Sequence, residues 1–324
     1  MPNYKLQVGH CEVSMSEMSH LWMETKEPAM SKYDYLMPKT IDEAISLYAS
    51  HGEKAKYIAG GTDVMVKIKE RKINPQYLVS LRHLQGLDHI TYKDGELRIG
   101  ALVTHRGLEL SPIIKKAFPI IIDAVSHIGS VQIRNVGTIG GNIVNGVPSA
   151  DGSIPLMTLG SAIRIVGPKG ERTMALEDFF IGPGQTLLEA GEILLEFIVP
   201  PLPPHTGSAY WKHTRRAAME LPLLGVAVMV SMEDDLKTCK AARIGMGVLA
   251  PTPIRARYAE EIMKGKLIDE TLLKEAGKKA ADECKARDSI RGLAWYRKDM
   301  VEVLFRRMAL LAMNRAQEDV GDIS

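Results

Sequence analysis

Residues 132–155 of the chain read Gln-Ile-Arg-Asn-Val-Gly-Thr-Ile-Gly-Gly-Asn-Ile-Val-Asn-Gly-Val-Pro-Ser-Ala-Asp-Gly-Ser-Ile-Pro. Three glycines fall within five positions of this stretch, at Gly137, Gly140 and Gly141. Because glycine adopts positive φ without steric cost, such a run can turn successive backbone N–H groups toward one side. N–H groups aligned in this way form a concavity that binds a phosphate or a pyrophosphate. Glycines in a loop most often only make turns, so this stretch alone leaves both interpretations open.

A second glycine-rich turn occurs earlier in the chain. Residues 56–58 predict a short strand, and Ala59-Gly-Gly-Thr-Asp63 follows as a turn. We call residues 59–63 the Gly60 turn and residues 137–142 the Gly140 turn. Two such turns can hold the two phosphates of one dinucleotide from opposite sides. The pair is therefore much more specific than either turn alone.

Together with Pro148-Ser-Ala-Asp151, the two turns resemble the FAD-binding subunit of molybdenum hydroxylases. That family includes the flavin modules of xanthine dehydrogenase, carbon monoxide dehydrogenase and 4-hydroxybenzoyl-CoA reductase. The motifs occur in the family's order, and the resemblance covers roughly residues 30–315. It implies that the chain binds FAD and is a flavoprotein subunit of a multi-subunit oxidoreductase.

The resemblance assigns no catalytic residue and no metal ligand to this chain, but it does imply a set of cofactor-binding residues. These are Tyr57, Ile58, Ala59, Gly60, Gly61, Thr62, Asp63, Val64, Ile128, Thr138, Ile139, Gly140, Gly141, Asn142 and Asp151. Both turns are expected to give backbone N–H groups to the pyrophosphate, with added hydroxyls from Thr62 and Thr138.

Three of these assignments have simpler alternatives. The two threonines could only cap turns. Asp151 matches the family aspartate that reaches toward the ribose or adenine side, where it would bind hydroxyls, but it could be an ordinary loop residue. Ile128 matches a position that packs near the flavin or adenine rings, and it could equally belong to the core of a helix.

The resemblance also implies partners. In relatives, a large molybdopterin-binding subunit oxidises the substrate, and electrons cross a small subunit with two 2Fe-2S clusters to FAD. They then pass to NAD or another acceptor. The three cysteines, Cys11, Cys239 and Cys284, form no Cys-x-x-Cys pair. An iron–sulfur cluster usually needs four cysteine ligands, so we expect no cluster in this chain. The cysteine-rich insertion of the 4-hydroxybenzoyl-CoA reductase branch is absent.

Composition excludes several other classes. The formal net charge is +2 over 324 residues, and 25% of residues are charged, which gives no electrostatic footprint for nucleic acid. The longest apolar run, residues 221–232, is well short of the roughly 20 residues that span a bilayer. No signal-peptide pattern opens the chain, and the isolated cysteines fit a reducing cytoplasm. The nine histidines form no His-x-x-x-His pair, which makes a catalytic metal improbable.

The expected fold is α+β. We predict an N-terminal extension over residues 1–30, followed by an FAD-binding domain of the vanillyl-alcohol-oxidase/PCMH-like type over residues 31–204. Its subdomains span 31–85 and 86–204, and the proline run at 200–204 forms the boundary. A smaller α+β domain over 205–315 and a tail over 316–324 complete the chain. No Gly-x-Gly-x-x-Gly follows a strand, which argues against a Rossmann site.

The smaller domain is predicted as a three-stranded antiparallel sheet over residues 208–214, 222–232 and 241–249. Three helices are predicted to follow, beginning near Ile254, Asp269 and Tyr296. Strands that precede a run of helices indicate an α+β arrangement.

Two other functions remain open. The chain could be a stand-alone FAD-dependent oxidase or reductase of the same fold, although no acid–base pair adjoins either turn. It could also be a non-catalytic scaffold that has lost FAD, but both sets of glycines are intact.

Overall fold

The computed structural model of the protein describes residues 32–318 together with residues 7–8 and 11–12. The two short segments are strands β1 (Gln7–Val8) and β2 (Cys11–Glu12), which pair antiparallel. The rest of the predicted extension, and residues 319–324 of the predicted tail, lie outside the described residues.

The first part of the fold is a small parallel sheet with two helices. Its elements are β3 (Asp34–Leu36), α1 (Ile41–His51), β4 (Ala55–Ile58), α2 (Val64–Lys69) and β5 (Tyr77–Ser80). The strand order is β3-β5-β4, and both pairs are parallel. Thr40 starts α1, because its hydroxyl accepts the Glu43 N–H at 3.1 Å. The Gly60 turn lies where the chain leaves β4 and enters α2.

The second part contains a five-stranded antiparallel sheet and a group of short helices. The strands are β6 (Ile90–Lys93), β7 (Glu96–Gly100), β8 (Ala162–Gly167), β9 (Gly170–Ala175) and β12 (Ile193–Val199), in the order β6-β7-β12-β8-β9. A separate pair consists of β10 (Phe180–Gly182) and β11 (Gln185–Thr186). Between β7 and β8 lie α3 (His105–Leu110), α4 (Pro112–Ala117), α5 (Pro119–Val125), α6 (Val131–Val136), α7 (Ile139–Val144) and α8 (Ser153–Thr158).

The last part is an antiparallel sheet backed by three helices. Its elements are β13 (Thr206–His213), β14 (Leu224–Met232), β15 (Cys239–Gly247), β16 (Ile254–Arg255), α9 (Arg257–Met263), α10 (Glu270–Asp282) and α11 (Ala294–Gln317). The sheet has four strands rather than the three predicted, because Ile254–Arg255 pairs with β15. A strand of two residues has no periodicity to detect. No helix within the described residues is long and apolar enough to span a membrane.

Strand β14 is buried along its whole length, since both faces of its sheet are covered. Val226, Val228 and Val230 pack into the core formed with α9–α11. Ala227 and Met229 alternate with them and pack into the core of the second part. Because successive side chains of a strand point to opposite faces, one strand joins two cores. The second and last parts of the chain are therefore packed together.

Two sets of ion pairs reinforce this contact. The Asp123 carboxylate on α5 accepts two hydrogen bonds from Arg315 on α11, at 2.7 and 3.1 Å, and one from the Tyr210 N–H at 3.1 Å. Glu177 accepts hydrogen bonds from Arg255 and Arg257 at 3.1 and 3.0 Å. Charged pairs at this boundary fix the relative position of surfaces that apolar packing alone leaves free to slide.

Gly207 allows α11 to lie directly on β13, and its replacement by alanine tests this packing. An added Cβ would overlap the Ala312 carbonyl and the Ala316 backbone nitrogen. Because backbone atoms cannot rotate away, we expect Gly207→Ala to destabilise the protein by about 3 kcal/mol, at the upper end for overpacking. Urea unfolding measures this change.

The control is Gly182→Ala, whose added Cβ would meet only the flexible Gln185 side chain, at 3.1 Å and beyond. It should change the unfolding free energy by less than about 1 kcal/mol. Equal unfolding midpoints for the two variants would contradict this account of the helix–sheet contact.

Candidate flavin site

The two glycine turns are in direct backbone contact. A Cβ added to Gly60 would overlap the Val136 carbonyl and would lie 3.0 Å from the Gly137 Cα. Only glycine therefore permits this approach at position 60. Gly61 has φ +75°, a conformation that L side chains rarely adopt. The turns that the sequence pairs are thus adjacent, each delivered by a different part of the fold.

A polar bridge that the sequence analysis missed links the segments carrying the two turns. The Asn145 side chain donates to the Asp63 carboxylate at 2.9 Å. Its amide oxygen accepts from the Lys67 ammonium at 2.6 Å. Neither Asn145 nor Lys67 belongs to a motif, so nothing in the sequence links these residues. The bridge aligns α2 with the end of α7.

The two turns differ in what their backbone N–H groups do. Within the described residues, the N–H groups of residues 59–64 make no hydrogen bond. By contrast, the Ile139 N–H donates to the Val103 carbonyl, and the Gly140 N–H donates to the Ala101 carbonyl, both at 2.9 Å. The Gly60 turn therefore offers free donors. The expected donation from Ile139 and Gly140 to a pyrophosphate does not fit these hydrogen bonds.

The Gly140 turn is the first turn of helix α7 rather than an open loop. Thr138 caps it: its hydroxyl accepts the Gly141 N–H at 3.1 Å, and its carbonyl accepts the Asn142 N–H at 3.0 Å. Capping, the simpler alternative for Thr138, is therefore observed. The Asn142 side chain accepts the Gly152 N–H at 3.2 Å. Most polar groups of this turn are thus already paired inside the protein.

Gly140 and Gly141 have different surroundings. A Cβ on Gly140 would lie 2.6 Å from the Ala101 carbonyl oxygen and 2.7 Å from its Cβ. Gly140 is thus required for the packing of α7 against residues 101–104, which connect β7 to α3. Gly141 is exposed, and a Cβ there would meet only the Thr138 hydroxyl, at 3.0 Å. Of these two glycines, only Gly141 faces outward.

The structure places several predicted site side chains in the core of the first part. The Tyr57 hydroxyl donates toward the carbonyls of Ala44 and Gly191, at 3.2 and 3.3 Å. Ile58 is buried, and Val64 packs against the same small cluster. The side chains of these three residues pack in the core beneath the Gly60 turn, so any contact they make with a ligand involves their backbone.

Asp151 is hydrogen-bonded to residues of the last part of the chain. Its carboxylate accepts from the Lys212 ammonium and the Tyr210 hydroxyl, both at 2.8 Å, and it is 4% exposed. Burial raises the pKa of Asp151, and the two donors offset only part of this effect. Lys212 also donates to the His127 carbonyl at 2.9 Å. Asp151 thus forms a buried interdomain ion pair, and its contact with a ribose stays a prediction.

Ile128 is half-buried beside the core, at the start of the loop that leads into α6. Its carbonyl accepts from Arg134 at 3.2 Å, and Arg134 also donates to Glu109 at 3.0 Å. Although burial alone would raise it, the pKa of Glu109 is lowered by hydrogen bonds from Arg106 and Arg134. This network holds the loop, and the contact of Ile128 with a cofactor stays a prediction. No group of His, Cys, Asp and Glu within residues 32–318 could hold a metal ion.

Two family models match the chain. Residues 31–202 match the FAD binding domain in molybdopterin dehydrogenase, and residues 208–312 match the CO dehydrogenase flavoprotein C-terminal domain. Together they cover almost all of the described fold.

Similar proteins carry consistent names. The chain is 33% identical over 276 residues to the putative xanthine dehydrogenase FAD-binding subunit XdhB of Escherichia coli, covering 85% of this chain and 94% of that protein. It is 34% identical over 285 residues to the carbon monoxide dehydrogenase medium chain of Afipia carboxidovorans, covering 88% and 98%. A crystal structure of the Cu,Mo-CO dehydrogenase contains a chain with a TM-score of 0.83 and 33% identity, covering 88% and 98%.

These matches define a class: flavoproteins of the molybdopterin dehydrogenases. The chain belongs to this family of FAD-binding subunits, its cofactor is FAD, and it is part of an oxidoreductase. The residues present are compatible with that cofactor. The free N–H groups of residues 59–64 are the donors that a diphosphate needs, and they lie beside the second glycine turn.

Replacing Asp151 with alanine tests the interdomain ion pair. The Lys212 side chain is 5% exposed, so the change leaves a buried ammonium without its carboxylate. We expect a loss of about 3–5 kcal/mol in unfolding free energy. Chemical denaturation of the full chain measures it.

The double variant Asp151→Ala/Lys212→Met removes both charges, and it should recover at least half of the lost stability. If the double variant is as unstable as Asp151→Ala alone, the ion pair is not the source of the effect.

Proposed function

We propose that FAD binds where the two glycine turns meet. The observation that carries this proposal is the contact of Gly60 with the Val136–Gly137 backbone, which places the unpaired N–H groups of residues 59–64 beside α7. The Gly60 turn supplies the N–H donors for the diphosphate. The outward face of Gly141 supplies a surface without a side chain, against which the diphosphate can lie closely.

The proposed cofactor-binding set keeps the residues inferred from the sequence but divides their roles. Ala59, Gly60, Gly61, Thr62 and Asp63 bind through the backbone. The side chains of Tyr57, Ile58 and Val64 hold that turn in place. In the same proposal, the FAD-binding domain spans residues 31–204 and the second domain spans residues 205–315.

We further propose that the chain is the electron-transfer subunit of a molybdenum-hydroxylase-type complex. It would receive electrons from the 2Fe-2S clusters of a small partner subunit and pass them to NAD or another acceptor. A large molybdopterin-binding subunit would oxidise the substrate. Support comes from the relatives named as medium chains and FAD-binding subunits. FAD, when bound, supplies a group that accepts electrons singly and releases them as a pair.

A cytoplasmic location is part of this proposal. Cys239 and Cys284 are buried free thiols, which is usual where thiols are kept reduced. Burial raises the pKa of Cys239 to about 11 and that of Cys284 to about 12. Both groups are therefore unreactive packing residues at neutral pH.

The relay is tested in the complex isolated with its partner subunits. After FAD is removed and the iron–sulfur clusters are reduced, reoxidation by NAD is followed through the cluster absorption, with and without added FAD. The proposal predicts that NAD, or another acceptor tested in the same way, reoxidises the clusters only after FAD is restored. Equal rates without FAD, or turnover of an organic donor by the isolated chain, would contradict it.

The placement of FAD is tested by the same substitution at two neighbouring glycines. Gly141→Val should weaken FAD binding at least tenfold, because the added side chain covers the surface proposed for the diphosphate. Its unfolding free energy should change by less than about 1 kcal/mol, since Gly141 is exposed and valine has a somewhat higher helix propensity than glycine. Gly140→Val should instead destabilise the fold by about 3 kcal/mol, through overlap with Ala101.

FAD affinity is measured by flavin fluorescence, and stability is measured by urea unfolding without FAD. If Gly141→Val binds FAD as tightly as the parent chain, the proposed placement is wrong.

A further inference from the structure

A buried histidine lies beside the junction of the two glycine turns, and no motif includes it. His105 is the first residue of α3 and is 3% exposed. Its backbone N–H donates to the Gly137 carbonyl at 3.0 Å. A Cβ added to Gly137 would lie 3.3 Å from the His105 Cδ2 atom and 3.6 Å from the Thr62 hydroxyl oxygen. The imidazole thus adjoins the Gly140 turn at the point where Thr62 of the Gly60 turn approaches it.

Nothing in the described part of the chain uses the polar atoms of this ring. The Nδ1 atom is fully buried and has no hydrogen-bond partner among residues 32–318. A buried polar atom left unpaired destabilises a fold by about 1–3 kcal/mol, whereas an apolar group of the same shape would not. The contacts within the protein therefore give no reason for an imidazole at this position.

The ring is uncharged at neutral pH. Burial, together with the positive charge of Arg134, lowers the pKa of His105 to about 4. A neutral imidazole always carries one N–H donor. The guanidinium of Arg134 has no acceptor and cannot receive that proton. No described residue accepts this proton, so its acceptor is solvent or a ligand.

We propose that His105 is a cofactor-binding residue, whose N–H donates to an oxygen of the dinucleotide held between the two turns. The inference rests on the proposed function, which places FAD at this junction. Because Nδ1 is fully buried, a ligand cannot reach it, so we assign the proton to Nε2. In this tautomer Nδ1 carries no hydrogen, and its burial leaves an acceptor rather than a donor unpaired. A diphosphate and a flavin both present the acceptor oxygens that such a donor needs.

Two substitutions in the full chain separate binding from folding. His105→Phe keeps the volume of the ring and removes both nitrogens. His105→Gln restores an N–H donor near the position of Nε2. The dissociation constant for FAD and the melting temperature without FAD are measured for each. His51→Phe is the matched control, because His51 is half-buried in the same domain and stacks on Tyr77 with ring centroids 3.7 Å apart.

We expect His105→Phe to raise the FAD dissociation constant about tenfold, the effect of losing one hydrogen bond. Its melting temperature without FAD should equal or exceed that of the parent chain, since an unpaired polar atom is removed. His105→Gln should bind FAD within about threefold of the parent, and His51→Phe should not change binding.

An FAD affinity within twofold of the parent in His105→Phe would overturn the inference. So would a parallel loss of FAD affinity and of melting temperature in both His105 variants, because that pattern describes a structural residue. If Gly141→Val weakens FAD binding and His105→Phe does not, only the role of His105 fails. If neither variant changes FAD binding, the proposed site is misplaced.

Discussion

The fold depends on one backbone-to-backbone contact, between Gly60 and the Val136–Gly137 peptide. It joins a turn that leaves a parallel strand to a turn that opens a short helix, and no side chain can fill the gap. The Asp63–Asn145–Lys67 bridge holds the same two segments from the side. The N–H groups of residues 59–64 make no hydrogen bond within the described residues, so the contact brings unpaired donors beside the second turn.

The last part of the chain reaches this contact through Asp151. The loop that follows α7 is tied to that helix by Asn142 and to strand β13 by Lys212 and Tyr210. A buried ion pair is costly to break but adds little when compared with apolar packing, so its clearest effect is to specify one arrangement. Here it sets the position of the loop after α7 relative to the sheet of the other domain. The last part of the chain is therefore linked through this loop to the helix that carries the Gly140 turn.

Much of the fold could be predicted from local sequence. The apolar run at residues 222–232 predicts a strand, and the structure has β14 at Leu224–Met232. Two features escaped prediction. Helices α6 and α7 have six residues each, too few for a period of 3.6 to appear. The bridge at Asn145 and the pair of Asp151 with Lys212 form between distant segments, and single-sequence patterns contain no information about such pairs.

The glycine motifs also show why a motif and its mechanism must be separated. The same run contains a glycine fixed by packing, Gly140 against Ala101, and one that faces outward, Gly141. Sequence alone treats both as phosphate-binding positions, since either permits an unusual backbone. Both N–H groups are already donated inside the protein, so only the surroundings distinguish them: a Cβ on Gly140 would overlap Ala101, whereas one on Gly141 would meet only the Thr138 hydroxyl. By the same reasoning, the N–H groups of residues 59–64, which donate to none of the described residues, indicate a ligand more directly than a glycine does. A polar group that is hydrogen-bonded inside the protein supports the fold, whereas a buried polar group without a hydrogen bond requires a partner.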